Sequence, residues 1–288
     1  MADVDVSNKG GLTGEGLQVS RIVCNFSCGA ASAVATKLAL ADYGHERIVI
    51  FNAFIVEENS DNRRFLTDCE NWFEHPVIVL RDQKYGASAR EVWRRKRFMN
   101  SALGAPCSQA LKRDVIDAAC SLDDRIVYGF TVDERKKERV IRFLAAGGIC
   151  PLIDRSLTHA DCLGIVERAG ILLPLRYRQG FNNANCVMCC KGGEGYMNKE
   201  RRINPSDFIE VAEIQKSIGP GAYMFRNRET GERFSLYDLD PEAGRHDEEA
   251  PDCSLFCEMA EQEMEAQTPA KNSVAAPGQL SHNENERD

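Results

Sequence analysis

At 288 residues, with 43% hydrophobic and 28% charged residues, the chain can bury one sizeable core or one domain with an appendage. No apolar run approaches the roughly 18 residues of a membrane-spanning helix, and the start "MADVDVSNKGG" lacks the basic and apolar regions of a signal peptide, so a cytoplasmic protein without a membrane partner is expected. The net charge of −8 is concentrated at one end: residues 240–288 hold 13 acidic and 3 basic side chains, and the remaining 31 acidic and 33 basic residues leave the body free to bind an anion.

Residues 1–18 are Gly-rich and polar and read as a flexible lead. "QVSRIVCNF" reads as a buried strand, and Ser32 to about Tyr43 as a helix stopped by Gly44. "RIVIFNAFI" is a second strand, followed by a helix from Asn62 to about Phe73 and a third strand, "PVIVLRD". "SQALKRDVIDAAC" forms another helix, and "DRIVYGF" a fourth strand ending at Gly129. Alternation of strands and helices predicts an α/β fold with a mostly parallel sheet covered on both faces, Rossmann-like, over residues 19–146. Residues 147–262 form a Cys-rich, loop-rich region, and residues 263–288 an acidic tail expected to be disordered.

Ligands of such sheets sit beyond the carboxyl ends of the strands. That rule brings "NFSCGAAS", "FNAF" and "GFTVDERKKER" to one rim. Ser27, Cys28, Gly29, Ala30, Ala31 and Ser32 present backbone N–H groups and two hydroxyls at a helix start, where the dipole favours an anion. The loop has neither the Lys of a Walker motif nor the glycine spacing of a dinucleotide fingerprint.

Twelve cysteines without a secretion signal point to metal or thiol chemistry in place of disulfides. Cys186-x-x-Cys189 and Cys253-x-x-x-Cys257 are two close pairs that suit one four-thiolate site, either Zn²⁺ or a [4Fe–4S] cluster. Such a site would clamp the apolar island "PDCSLFCEMAEQ" onto the body. Cys107, at a helix start five residues before Lys112, is a candidate reactive thiol or a further cluster ligand. The basic runs around Arg94–Arg97 and Lys199–Arg202 would face either solvent or the phosphates of a nucleic acid or ATP. The five histidines show no metal spacing and read as incidental.

The run Ser27-Cys28-Gly29-Ala30-Ala31-Ser32 resembles the S-G-G-x-x-S pyrophosphate loop of the N-type ATP pyrophosphatases and phosphoadenosine phosphosulfate (PAPS) reductases. Four further segments resemble that superfamily in the same order: "APCSQALKR", "GFTVDERKKER", "PLIDRSLTHADCLGIVERAGILLPLRYRQGF" and "NCVMC". Three departures stand out: Cys28 replaces a glycine, Thr131 stands where the reductases usually carry Arg, and Pro106 precedes Cys107 in place of a second cysteine. The resemblance implies an adenine-nucleotide enzyme using ATP or PAPS with Mg²⁺. Its pyrophosphate would lie on residues 27–32, its adenosine by Phe51 and Asn52, and its remaining contacts at Gly129, Asp133 and Arg139, with Lys112 neutralising charge. The acceptor would be tRNA, DNA or a small molecule, activated for sulfur or nitrogen transfer. The alternatives are a PAPS or adenylylsulfate reductase with Cys253 or Cys107 as nucleophile, and a non-catalytic nucleotide- or nucleic-acid-binding module stapled by zinc.

Overall fold

The computed structural model describes residues 20–100 and 104–245. The expected lead, the acidic tail, and Cys253 and Cys257 with their apolar island lie outside the described residues.

Four strands, β1 (Ile22–Asn25), β2 (Ile48–Ala53), β3 (Val77–Leu80) and β4 (Arg125–Val127), form one parallel sheet in the order β3-β2-β1-β4. The expected α/β architecture is what the chain forms. Alternation along the strands divides the interior. Ile22, Cys24 and Ile50 face α1 (Ala30–Tyr43) and α2 (Asp61–Phe73) on one side, while Val23, Phe51, Ala53 and Leu80 face Ile116 on the other. Helix α1 is rich in Ala because it is covered almost all round, with the sheet beneath it and α2, α7 (Pro151–Asp154) and α8 (His159–Arg168) beside it. Small side chains let these elements approach closely.

The helix expected at 108–120 is a continuous run: α4 (Pro106–Ser108), a π-helical stretch (Gln109–Arg113) and α5 (Asp114–Ala119). Ile149 extends the sheet by a parallel bridge to Val127, and α8 shares the α1 core, so that core runs across residue 147. A second core joins α3 (Ala89–Lys96) and α4 to α10 (Glu194–Ile203), α11 (Pro205–Ile218) and the segment 186–190. Both basic runs serve this packing. Arg94 pairs with Glu210 at 2.8 Å, Arg95 with Glu91 at 2.5 Å, and Arg97 and Arg201 donate to backbone carbonyls. No helix among the described residues is long and apolar enough to cross a membrane.

At the start of α2, the Asp61 carboxylate accepts from Arg64 at 2.7 and 2.9 Å, from Arg178 at 3.3 Å, and from the Leu175 N–H at 2.7 Å at the head of α9 (Leu175–Arg178). The Arg64 guanidinium above all, helped by the Leu175 N–H, holds its pKa down at about 2. A depressed carboxylate contributes stability above its unfolded pKa of about 3.9 and loses it as pH falls through the folded value. Asp61→Asn should therefore lower the melting temperature at pH 7 and flatten the acid limb between about pH 4 and pH 2. Thermal melts across that range check this; an unchanged acid limb would contradict it.

Candidate functional site

In the strand order β3-β2-β1-β4, connections leave β1 in opposite directions, and a cavity of about 520 Å³ opens at the carboxyl ends of β1 and β4 where they part. The cavity thus opens at the rim expected from the rule. Ser27, Gly29, Ala31 and Ser32 line it on one side, Gly129, Thr131 and Asp133 on another, with Phe51 and Lys112 between.

The loop 27–32 is held from within. Ser27 N–H and Ser27 Oγ both donate to Ser32 Oγ at 3.2 Å, and Ser32 Oγ donates to the Gly29 carbonyl at 2.9 Å. Helix α1 starts at Ala30, two residues before the sequence-based boundary, so Ser32 sits in its first turn, where N–H groups have no intrahelical partner. The loop is therefore a small-residue turn at a helix start, with part of it facing the cavity.

Cys28 has a different place from the one expected. It adopts the left-handed conformation (φ 58°) that the glycine would have taken freely, at a cost of roughly 1–2 kcal/mol. Its side chain turns away from the cavity into the core. There Asn52 Nδ2 reaches its sulfur at 3.5 Å and Arg63 at 3.7 Å, and burial pushes the thiol up to about 12. Cys28 is thus a buried, protonated thiol that shapes the loop from below. Asn52 is likewise a support. It is buried outside the cavity lining, donating to the Phe26 carbonyl at 2.7 Å and accepting from Arg63 at 3.0 Å. Ala30 also lies behind the lining, with its N–H donating to the Tyr177 hydroxyl at 3.3 Å.

On the β4 side, a Cβ on Gly129 would lie 2.8 Å from the Ala31 carbonyl carbon and the Ser32 nitrogen, so only glycine fits against the start of α1. Thr131 is buried and caps the turn Val132–Glu134, with Glu134 returning a hydrogen bond to its N–H. Arg139 is outside the lining. It pairs with Glu134 and lies over the Phe130 ring, so it braces the wall. Asp133 accepts from the His159 N–H at 3.2 Å.

Lys112 lies on the π-helical stretch, buried, with its ammonium 3.8 Å from Glu58. A π-helical turn widens the helix locally and is frequent at functional sites. Cys107, one turn earlier, is outside the cavity lining. It packs against the second core, which also contains Cys186 and Cys189. Those two are buried in a turn whose Met188 is left-handed (φ 57°) and whose Val187 N–H donates to the Glu57 backbone carbonyl at 2.8 Å. The pair is thereby docked beside the cavity wall formed by Asn182–Asn185. Among the described residues no group of three or more His, Cys, Asp or Glu side chains is placed to hold a metal ion, and the described thiols supply two of the four expected ligands.

Several lining residues were not singled out from sequence as ligands, and four of them bear on the chemistry of the cavity. His159 is one; burial holds its pKa below the usual imidazole range, against the opposing pull of Glu134 and Asp133, so it is neutral at neutral pH. Tyr177 stacks near it with centroids 5.9 Å apart, its hydroxyl pushed up to about 12 by burial. Glu58 bridges Lys112 and Arg63. Asn25 ends β1; the only sequence signal was a polar side chain inside an apolar strand.

Compared with known proteins, the chain matches no family model and no curated sequence. The functional reading therefore rests on the cavity itself.

Proposed function

We propose that the cavity binds an adenine nucleotide and that the protein is an ATP-dependent enzyme activating an acceptor for sulfur or nitrogen transfer. One observation carries the reading: a helix-start anion cradle and a buried lysine share one cavity with an apolar shelf at the carboxyl edge of a parallel sheet. The resemblance of residues 27–32 to a pyrophosphate loop gives the same polarity. Phosphates would lie on Gly29, Ala31 and Ser32 with Lys112 opposite, and the helix dipole and ammonium favour the charge that builds on departing pyrophosphate. Mg²⁺ needs only one or two carboxylates beside substrate phosphates, and Asp133, Glu134 and Glu58 line the same space. An acceptor oxygen attacks the α-phosphorus and the bond to the bridging oxygen breaks, releasing pyrophosphate. A sulfur or nitrogen nucleophile then displaces AMP from the acceptor. The protein's part is to position these groups and neutralise charge. Cys107 lies outside the cavity lining and packs against the second core.

Calorimetric titration of ATP, AMP and PAPS with Mg²⁺ tests the reading. ATP should bind, and Ser32→Ala should weaken it by about tenfold, as expected for a hydrogen bond to a charged group. Equal binding by the variant, or no adenine nucleotide bound at all, would refute it. AMP and pyrophosphate formed only with a small or nucleic-acid acceptor would support the transferase. Sulfite released from PAPS and abolished by Cys253→Ser would instead make it a reductase.

A further inference from the structure

The side chain of Asn25 is buried at 7% exposure, it lines the cavity, and among the described residues neither its amide nitrogen nor its oxygen has a partner within 3.5 Å, the Tyr128 hydroxyl reaching it only by a longer contact. Leaving both halves of a buried amide unpaired is costly, and native proteins rarely do so without a use for it. An apolar residue would suit this position of the strand better.

The surroundings say what the amide awaits. Asn25 pairs with Phe51 across β1 and β2, and alternation from Val23 puts its side chain on the sheet face covered by Ile116. Phe51, Ile116 and Tyr128 therefore flank it with flat, apolar surface. Two rulers then fix the direction of a ligand. Asn25 lies two residues before Ser27, about 7 Å back along the strand. Ile116 lies one turn after Lys112, about 6 Å further along the helix, and the helix runs back over the sheet from Glu58 at its rim to Arg21 at its far edge. The charged end of the cavity is at Ser27 and Lys112, and the apolar end with one donor and one acceptor is at Asn25 and Ile116.

We infer that Asn25 is the base-reading residue of this site, pairing its amide with the amino group and N7 of adenine. This rests on the adenine-nucleotide reading above. Adenine offers one donor beside one acceptor, which an asparagine amide matches with two hydrogen bonds. On that same edge guanine and hypoxanthine present two acceptors, O6 and N7, so one half of the amide stays unpaired. Such a pair is worth a discrimination of about 10- to 100-fold.

The test uses the full chain, titrated with ATP, GTP and ITP, with melting of the ligand-free protein alongside. Wild type should favour ATP over GTP and ITP by at least tenfold. Asn25→Leu, similar in shape but apolar, should weaken ATP by about 10- to 100-fold, bind the three nucleotides alike, and melt at the same or higher temperature because no buried amide is left unpaired. Asn25→Asp keeps the size but offers only acceptors, and should lose the preference as well. Retained ATP preference in both variants would overturn the inference while leaving nucleotide binding intact. So would an equal loss for all three nucleotides with selectivity preserved, which would place Asn25 on the sugar or phosphates, or a lower melting temperature for ligand-free Asn25→Leu, which would make it a packing residue. If wild type binds none of the three, the nucleotide reading itself falls.

Discussion

Replacing Glu200 by alanine should lower the free energy of unfolding by about 3–5 kcal/mol, a large share of the stability of an ordinary domain. Arg176 and Glu200 are both buried, at 1% and 0% side-chain exposure, and form a two-pronged ion pair. The guanidinium also donates to the Tyr196 hydroxyl at 2.9 Å and lies 3.5 Å over the Phe181 ring. The carboxylate accepts from the Met188 N–H at 3.1 Å and from Asn204 at 2.7 Å. Removing the acid strands a buried cation and two donors together, which is why one truncation costs so much. Arg176→Met with Glu200→Leu should recover most of the loss, because no unpaired charge then remains. The pair ties α9, which carries Tyr177 to the loop at Ala30, to the turn that holds Cys186 and Cys189, so Glu200→Ala should also weaken nucleotide binding. Urea denaturation of the single and double variants decides it; a loss under 1 kcal/mol for Glu200→Ala would contradict the account.

The second large effect falls on Gly129. A methyl there must push the β4 loop or the start of α1 by several tenths of an ångström, since the atoms it meets are backbone and cannot rotate aside. Gly129→Ala should cost about 1–3 kcal/mol of stability by overpacking and, by moving Ala31 and Ser32, weaken ATP by tenfold or more. Gly221→Ala, where the added methyl meets nothing within 4 Å, should leave both unchanged. Melting and calorimetry on the two variants provide the comparison, and an affinity for ATP undiminished in Gly129→Ala would show that the loop tolerates displacement.

The sequence by itself determined the α/β class and the edge of the sheet at which the cavity opens. Apolar runs such as "RIVC" and "RIVIF", broken by small-residue turns, leave a covered parallel sheet as the way to bury both faces, and its strands must deliver their following loops to one edge. The small-residue turn at residues 27–32 was legible for the same reason: small residues and a helix start are local features. What Cys28, Asn52, Arg139 and Asn25 do was decided only by tertiary structure. Cys28 belongs to the loop, yet a left-handed turn there sends its sulfur inward to meet Asn52 and Arg63, which come from β2 and α2. Arg139 sits in a cationic run but spends its charge on Glu134, five residues away. Asn25 looks like a blemish in a strand until Phe51, Ile116 and Tyr128 are brought around it from three other elements. Local pattern sets which backbone groups are presented where. What surrounds Asn25 in the cavity depends on residues 26 to more than 100 positions distant, and those are assembled only when the sheet and its helices close over one another.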